Sequence, residues 1–342
     1  GYIMSDAPRL TDRSVRGRPP GATTFPRVLR NLGPEAPGKQ AYVTLMRQRH
    51  QNIATFNEVY ETSFDDWQSL ATAKNWRPAT DYSNKAELGD NATFLSQCVG
   101  KYHQVARAAL LKADPNHLFF GDKLGARGEA FDAVIAAAAP HVDVIQFGHY
   151  GRLSEQVAVL DRWTDKLRKP FISADGSFSV RTEMLPFPMG QDSSIARDYP
   201  ECALWTNELA AGLFARPDVV GWNICGVIDV WKTAHGREKK QHQGIMDPFG
   251  KFHPGMEFAI RDVTSRLYHI ASRQKPNAGP VPTDRNATST TGGNQPGDPN
   301  LIGRKGFVHV ERKDGIWFMV NADGERFVPT GMNHVGPMHR FA

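Results

Sequence analysis

The chain has 342 residues, 40% of them hydrophobic, with 41 basic against 36 acidic side chains for a net charge of +5. A mean hydropathy of −0.46, with no apolar run near the ~18 residues a bilayer demands, excludes a membrane-spanning helix. Mild basicity does not by itself point to nucleic acid, and Cys98, Cys202 and Cys225, widely spaced and without a CxxC pair, suit buried thiols better than a metal site or a disulfide framework.

Gly1-Tyr2-Ile3-Met4 opens without an initiating methionine and is too short for a signal peptide, so the start reads as processed, trimmed or rearranged. GYIMSDAP predicts a strand that stops at Ser5-Asp6, with Pro8 barring its continuation. The loop after it holds Arg9, Arg13, Arg16, Arg18, Arg27 and Arg30. It reads either as solvated surface or as the wall of a cleft for an anionic or heavily hydroxylated ligand.

Residues 41–70 predict one long helix, with Leu45, Ile53, Phe56 and Tyr60 on apolar spacing. It contains Asn57-Glu58, an acid/base dipeptide of many barrel glycosidases, but no strand precedes it and the pair reads as structural. A second amphipathic helix spans 90–112, with Asp90 as its N-cap.

From there strands and helices alternate. HLFFG at 117–121 predicts a strand ending at Asp122-Lys123, and 131–139 a helix. VDVIQF at 142–147 is a strand ending at Gly148-His149-Tyr150, followed by a helix over 153–167. Lys169-Pro170 breaks that helix, Phe171 to Ser173 form a short buried strand, and Asp175 follows at its carboxyl end before Gly176. A helix over 202–215, a strand over 219–230 ending near Asp229 and Trp231, and a helix over 255–272 complete the series. Such alternation argues for parallel strands with helical crossovers, and polar strand ends suit the catalytic face of a barrel. Residues 277–300, rich in Pro, Gly, Thr and Asn, read as a linker. A hairpin with an Asp314-Gly315 turn then spans 306–320, and a last strand over 327–335 ends at Asn333-His334.

The series GYIMSDAP, DPNHLFFGDKL, VDVIQFGHY, KPFISADGSFS, VVGWNICGVIDVW and KQHQGIMDPFGKFHP resembles the agarase-like glycoside hydrolases, (β/α)8 barrels related to the β-agarases. The tail DGIWFMVNADGERFVPTGMNHVG resembles the way such barrels begin. The resemblance implies an α/β fold of TIM type in permuted or incomplete order, running from the family's fourth strand to its eighth and ending on its first. No counterpart of strands two and three is found. The implied organisation is a barrel over 1–273, a flexible linker over 274–303, and a hairpin plus the first barrel strand over 304–342.

It implies in turn a glycosidase acting on a galactan-type, agarose-like polysaccharide, acidic or sulfated if the arginine-rich loop faces the cleft. Hydrolysis needs two opposed carboxyl groups, and the family's positions fall on Asp6 as general acid and Asp175 as nucleophile or base. Both depart from the usual glutamate. His117, Asp122, His149, Tyr150, Asp229, Trp231, Asn333 and His334 are the expected substrate contacts. Neither a cofactor nor a metal is expected, since no ligand spacing, phosphate loop or serine elbow is present. A secreted or periplasmic location is expected. The competing reading is a catalytically inactive carbohydrate-binding relative whose Glu-to-Asp changes record loss of hydrolysis. Nucleic-acid binding through the arginines is set aside for want of interleaved aromatics.

Overall fold

In a computed structural model of the chain, the residues described are 1–6, 24–79, 81, 83, 84, 86–125, 130–183, 192–229, 243–272 and 298–332. Two compact units make up the molecule. One comprises Gly1–Ala7, Leu110–Ala126 and Val142–Ala342, and the other Pro8–Ala109 and Arg127–His141.

The first unit is an α/β structure around six parallel strands: β1 (Tyr2–Asp6), β2 (Phe119–Gly125), β3 (Ile145–Gly148), β4 (Phe171–Ala174), β7 (Val219–Ile224) and β12 (Thr330–Met332). They lie in the order β1-β2-β3-β4-β7-β12, and every neighbouring pair is parallel. The short strands β5 (Ser179–Val180) and β6 (Ile195–Ala196) pair separately. Helices α7 (Leu153–Leu167), α8 (Tyr199–Phe214) and α9 (Met256–Ala271) provide crossovers. The sequence encodes each locally: α7 buries Gln156, Val159, Leu160 and Trp163 on one stripe and ends on a left-handed Arg168, and Asp198 caps α8 by accepting the Glu201 N–H. Trp163 stacks on Phe171 and meets Phe147 edge-on, which fixes the helix-facing side of β3 and β4.

The four-stranded antiparallel sheet of β8 (Leu301–Ile302), β9 (His309–Lys313), β10 (Ile316–Val320) and β11 (Arg326–Phe327) belongs to the same unit. Asp314 and Gly315 both have positive φ, 53° and 80°, as a two-residue hairpin turn demands. Val310, Trp317 and Met319 of this sheet pack with Leu118, Val144, Ile172 and Val220 into one apolar cluster, a floor beneath the amino ends of the parallel strands.

The second unit contains α1 (Phe25–Leu29), α2 (Pro37–Arg49), α3 (Ile53–Tyr60), α4 (Trp67–Thr72), most of α5 (Glu87–Ala113), and α6 (Ala130–Ala138). The single helix expected over 41–70 is therefore three. Asn52 caps α3 and Asp66 caps α4 in a capping box, and Glu61 leaves α3 in the left-handed region, so local hydrogen bonding overrides the apolar periodicity. Asp90 lies inside α5 and does not cap it. The core here is aromatic, with Phe56 stacked on Tyr60 and edged by Trp67 and Trp76. Asn57 ties off the end of α3 by bonding Thr62 and both backbone groups of Phe64, while Glu58 is exposed, so the dipeptide has the structural role expected of it. Among the described residues no helix is long and apolar enough to cross a membrane.

Candidate active site

The carboxyl end of the parallel sheet opens because its last row is small. Gly125, Gly148 and Ala174 stand side by side across β2, β3 and β4, and Asn223 faces Gly331 across β7 and β12. Gly121 prepares this row: its φ of +66° sits where the β1–β2 register slips, and such a bulge re-aims the residues after it. The strand expected to stop at Gly121 therefore continues to Gly125, and Asp122 and Lys123 lie within it. Lys123 crosses β3 to pair with Asp175 beyond the end of β4. A Cβ at Gly148 would lie 3.6 Å from the lysine Cδ and 3.7 Å from its Cε, so any larger side chain there would occupy the lysine's path.

Asp175 is 3% exposed and holds a left-handed φ of 63°, a conformation that Asp tolerates better than most residues. The Tyr150 hydroxyl lies close enough to Asp175 and Cys225 for their charges to act on it. Burial first, then the Cys225 and Asp175 charges, push the Tyr150 hydroxyl far above the usual tyrosine range, so it stays a donor. Gln156 of α7 braces this corner, accepting from Ser173 Oγ at 2.9 Å and donating to the His149 carbonyl at 3.1 Å. His149 is buried, with Nε2 3.9 Å from Glu155 Oε2. A Cβ at Gly151 would come within 2.6 Å of the His149 ring, so this turn requires glycine.

Asp175, Tyr150, Lys123 and Cys225 thus converge, with His149 and the buried Asp122 on adjoining strand ends. Asp6 is the backbone partner of Lys123 in the β1–β2 ladder, which puts β1's last residue on the strand next to the lysine. Its side chain, and Trp231, Asn333 and His334, lie outside the described residues. Two other expected contacts are engaged by other partners. His117 stands two residues before β2, at its amino end, half-exposed and bonding Asp114 at 2.7 Å. Asp229 lies past β7, which stops at Ile224. Its carboxylate accepts the Gly244 N–H at 2.8 Å and pairs with His253 Nε2 at 2.8 Å, and His253 stacks on Tyr199, so it fastens the 243–253 segment.

Lys123 and Cys225 escaped the sequence reading. A lone lysine inside the apolar run FFGDKLG is the signal that marks the first. Among the described residues no three His, Cys, Asp or Glu side chains stand together as a metal set. A cavity of about 420 Å³ lined by Arg168, Lys169, Asp218, Arg312 and Trp317 lies at the starts of β4 and β7, the end of the sheet away from Asp175.

No family model matches the chain. Over 146 residues it is 25% identical to β-agarase B of Vibrio sp. (strain JT0107), which covers 42% of this chain and 15% of that protein. The solved structure of an agarase superposes with a TM-score of 0.60 at 20% identity, covering 79% of this chain and 37% of the agarase. The structure of an exo-β-agarase does so with a TM-score of 0.59 at 18% identity, covering 79% and 35%. The chain thus spans little more than a third of the solved relatives it matches and a smaller share of the curated one. It is similar in sequence to a β-agarase over 146 residues and similar in fold to solved agarases.

Proposed function

We propose that the chain carries the catalytic core of a secreted or periplasmic glycoside hydrolase cleaving a galactan-type, agarose-like polysaccharide. Asp175 acts as nucleophile or general base and Asp6 as general acid, on an incomplete (β/α)8 barrel. The strand order β1-β2-β3-β4-β7-β12 supports that frame: it matches barrel strands four to eight followed by the first, with strands two and three belonging between β12 and β1. The barrel portion is then 1–273 and its complement 304–342, joined by a linker over 274–303 whose Leu301–Ile302 pair with the hairpin as β8.

The observation that carries the reading is Asp175 itself, a buried carboxylate at the carboxyl end of a parallel strand, paired with Lys123 beside Tyr150 in a row of small residues. Parallel barrels place their chemistry at that end. In the proposed reaction the Asp6 carboxyl protonates the glycosidic oxygen as the bond to the anomeric carbon breaks. Asp175 either attacks that carbon or takes a proton from the attacking water, depending on whether the two carboxyls stand about 5–5.5 Å or about 6.5–9.5 Å apart. Tyr150 and Lys123 hold the aspartate still. His149, Asp122, Trp231, Asn333 and His334 are the proposed sugar contacts.

One observation favours the second reading, a carbohydrate-binding relative without turnover: the Lys123 ammonium already neutralises Asp175 in a buried ion pair. Both readings are separated by reducing-end release from agarose and related galactans. Turnover abolished in Asp175→Asn and in Asp6→Asn, each folding normally, supports the hydrolase. Oligosaccharide binding without turnover supports the binder, and neither binding nor turnover on any galactan defeats both.

A further inference from the structure

Among the described residues, the interior of the helical unit holds more positive charge than the carboxylates facing it offset. Arg27, Arg30 and Lys39 are fully buried, and the Arg77 side chain is 11% exposed. The facing carboxylates are Glu87, fully buried, and the half-open Asp81. Glu87 meets Arg27 at 2.5 Å and Arg30 at 2.7 Å, with Arg77 at 4.0 Å, and Arg77 also pairs with Asp81 at 3.1 Å. Lys39 donates to the carbonyls of Arg30 at 2.6 Å and Ala73 at 2.9 Å. The other nearby carboxylate, Asp90, is engaged by His50, Tyr60 and Arg49. Among the described residues four cations therefore face two acids, and Arg27, Arg30, Lys39 and Glu87 are fully buried.

Arg30 marks where the imbalance is felt. Only its Nη1 is used, on Glu87, while Nε and both hydrogens of Nη2 meet no acceptor. Its guanidinium carbon lies over the Trp76 ring, 5.2 Å from the centroid, and its unused N–H groups are buried. Asn91 lies one helical turn beyond Glu87 on the inward face of α5, fully buried, and neither of its amide atoms has a partner. Native interiors rarely leave donors of a buried guanidinium unmet, because the desolvation cost falls in full on the charged group.

We propose that a small inorganic anion of the halide class occupies this interior, accepting hydrogen bonds from Arg30 Nε and Nη2 and from Asn91 Nδ2. A water molecule alone meets the donors but leaves the surplus charge, whereas an anion meets both. A bridging water then serves the Asn91 carbonyl oxygen. The depressed Lys39 ammonium, brought to about 8 by burial and by the Arg30 charge, agrees with an interior short of negative charge. The site is independent of the sugar-binding chemistry and holds whether or not the chain hydrolyses anything.

The test uses the full chain and bromide as the probe. Thermal melting is followed at constant ionic strength as sodium gluconate is replaced by sodium bromide. The expected result is a saturable rise in Tm, of ~3–5 °C once bromide reaches about tenfold over its Kd. In crystals soaked in sodium bromide, an anomalous peak is expected within hydrogen-bond distance of Arg30 Nη2. Arg30→Met, if it folds, loses both; Asn91→Leu provides a milder variant that halves the Tm response or more. Identical melting of the native chain in bromide and gluconate, or a water in place of the anomalous peak, overturns the proposal.

Discussion

Replacing Lys123 by Met isolates the ion pair at the centre of the candidate site. The pair is nearly dry, with the lysine side chain 11% exposed and the aspartate 5%. Methionine keeps the length of the stem and its packing over Gly148, so the change removes charge and little volume. Removing one partner of a buried pair costs ~3–5 kcal/mol, because the other charge is left uncompensated. The neutral Tyr150 hydroxyl stays beside the carboxylate and offsets part of that. The net expectation is ~2 kcal/mol, a fall in Tm of ~4–8 °C for a unit of this size. Urea unfolding of the native chain, Lys123→Met, Asp175→Asn and the double variant closes a thermodynamic cycle. A coupling of ~1.5 kcal/mol or more is expected, with the double variant more stable than Lys123→Met. Additive single effects, within ~0.5 kcal/mol, would refute the claim that Lys123 exists to hold Asp175.

Gly148→Leu is expected to act like Lys123→Met on stability and on sugar binding, since its side chain fills the lysine's path; a variant that binds and melts like the native chain would show that the lysine takes another route. Gly151→Val is expected to unseat His149 and to cost ~1–3 kcal/mol in urea unfolding through overpacking. Lys39 gives a pH signature. Its folded value is lowered to about 8 from 10.5, so between those values the unfolded chain binds the extra proton and stability rises with pH. The native chain should therefore gain stability between pH 8 and pH 10 relative to Lys39→Met, and parallel pH profiles for the two would count against the burial. Asp229→Asn is expected to loosen the 243–253 segment, read as faster amide exchange at Gly244, because the carboxylate there pairs with His253 as well as accepting the Gly244 N–H.

The elements legible in the sequence were those whose signals are local. The α7 range and the Asp314-Gly315 hairpin follow from apolar spacing and turn chemistry, and both stand as expected. Asp175 was legible because a strand, an acid and a glycine follow one another. What escaped depended on contacts distant in sequence. Arg27 and Arg30, read as part of an open loop, are buried on Glu87, 57 positions from Arg30, and nothing near them in the chain announces that partner. Lys123 looked like a strand terminus because the positive φ of Gly121, which prolongs β2 and turns the lysine toward Asp175, is invisible in a glycine's letter. For His117 and Asp229 it was the partners that the sequence hid: His117 stands on Asp114 at the amino end of β2, and the Asp229 carboxylate engages Gly244 and His253.

The floor under the sheet has a consequence for how the chain acquires its structure. Its upper half, Leu118, Val144, Ile172 and Val220, is made early, but its lower half comes from β9 and β10, and Arg304 reaches Asn116 across 188 residues. During synthesis the apolar amino ends of β2, β3, β4 and β7 therefore wait uncovered until the hairpin emerges. Chains dominated by such distant pairings fold slowly and are aggregation-prone meanwhile. Truncation before 301 is thus expected to yield insoluble protein even though Lys123, Tyr150, Asp175 and Cys225 are all present, and supplying residues 298–332 as a separate peptide during refolding is the direct way to recover it.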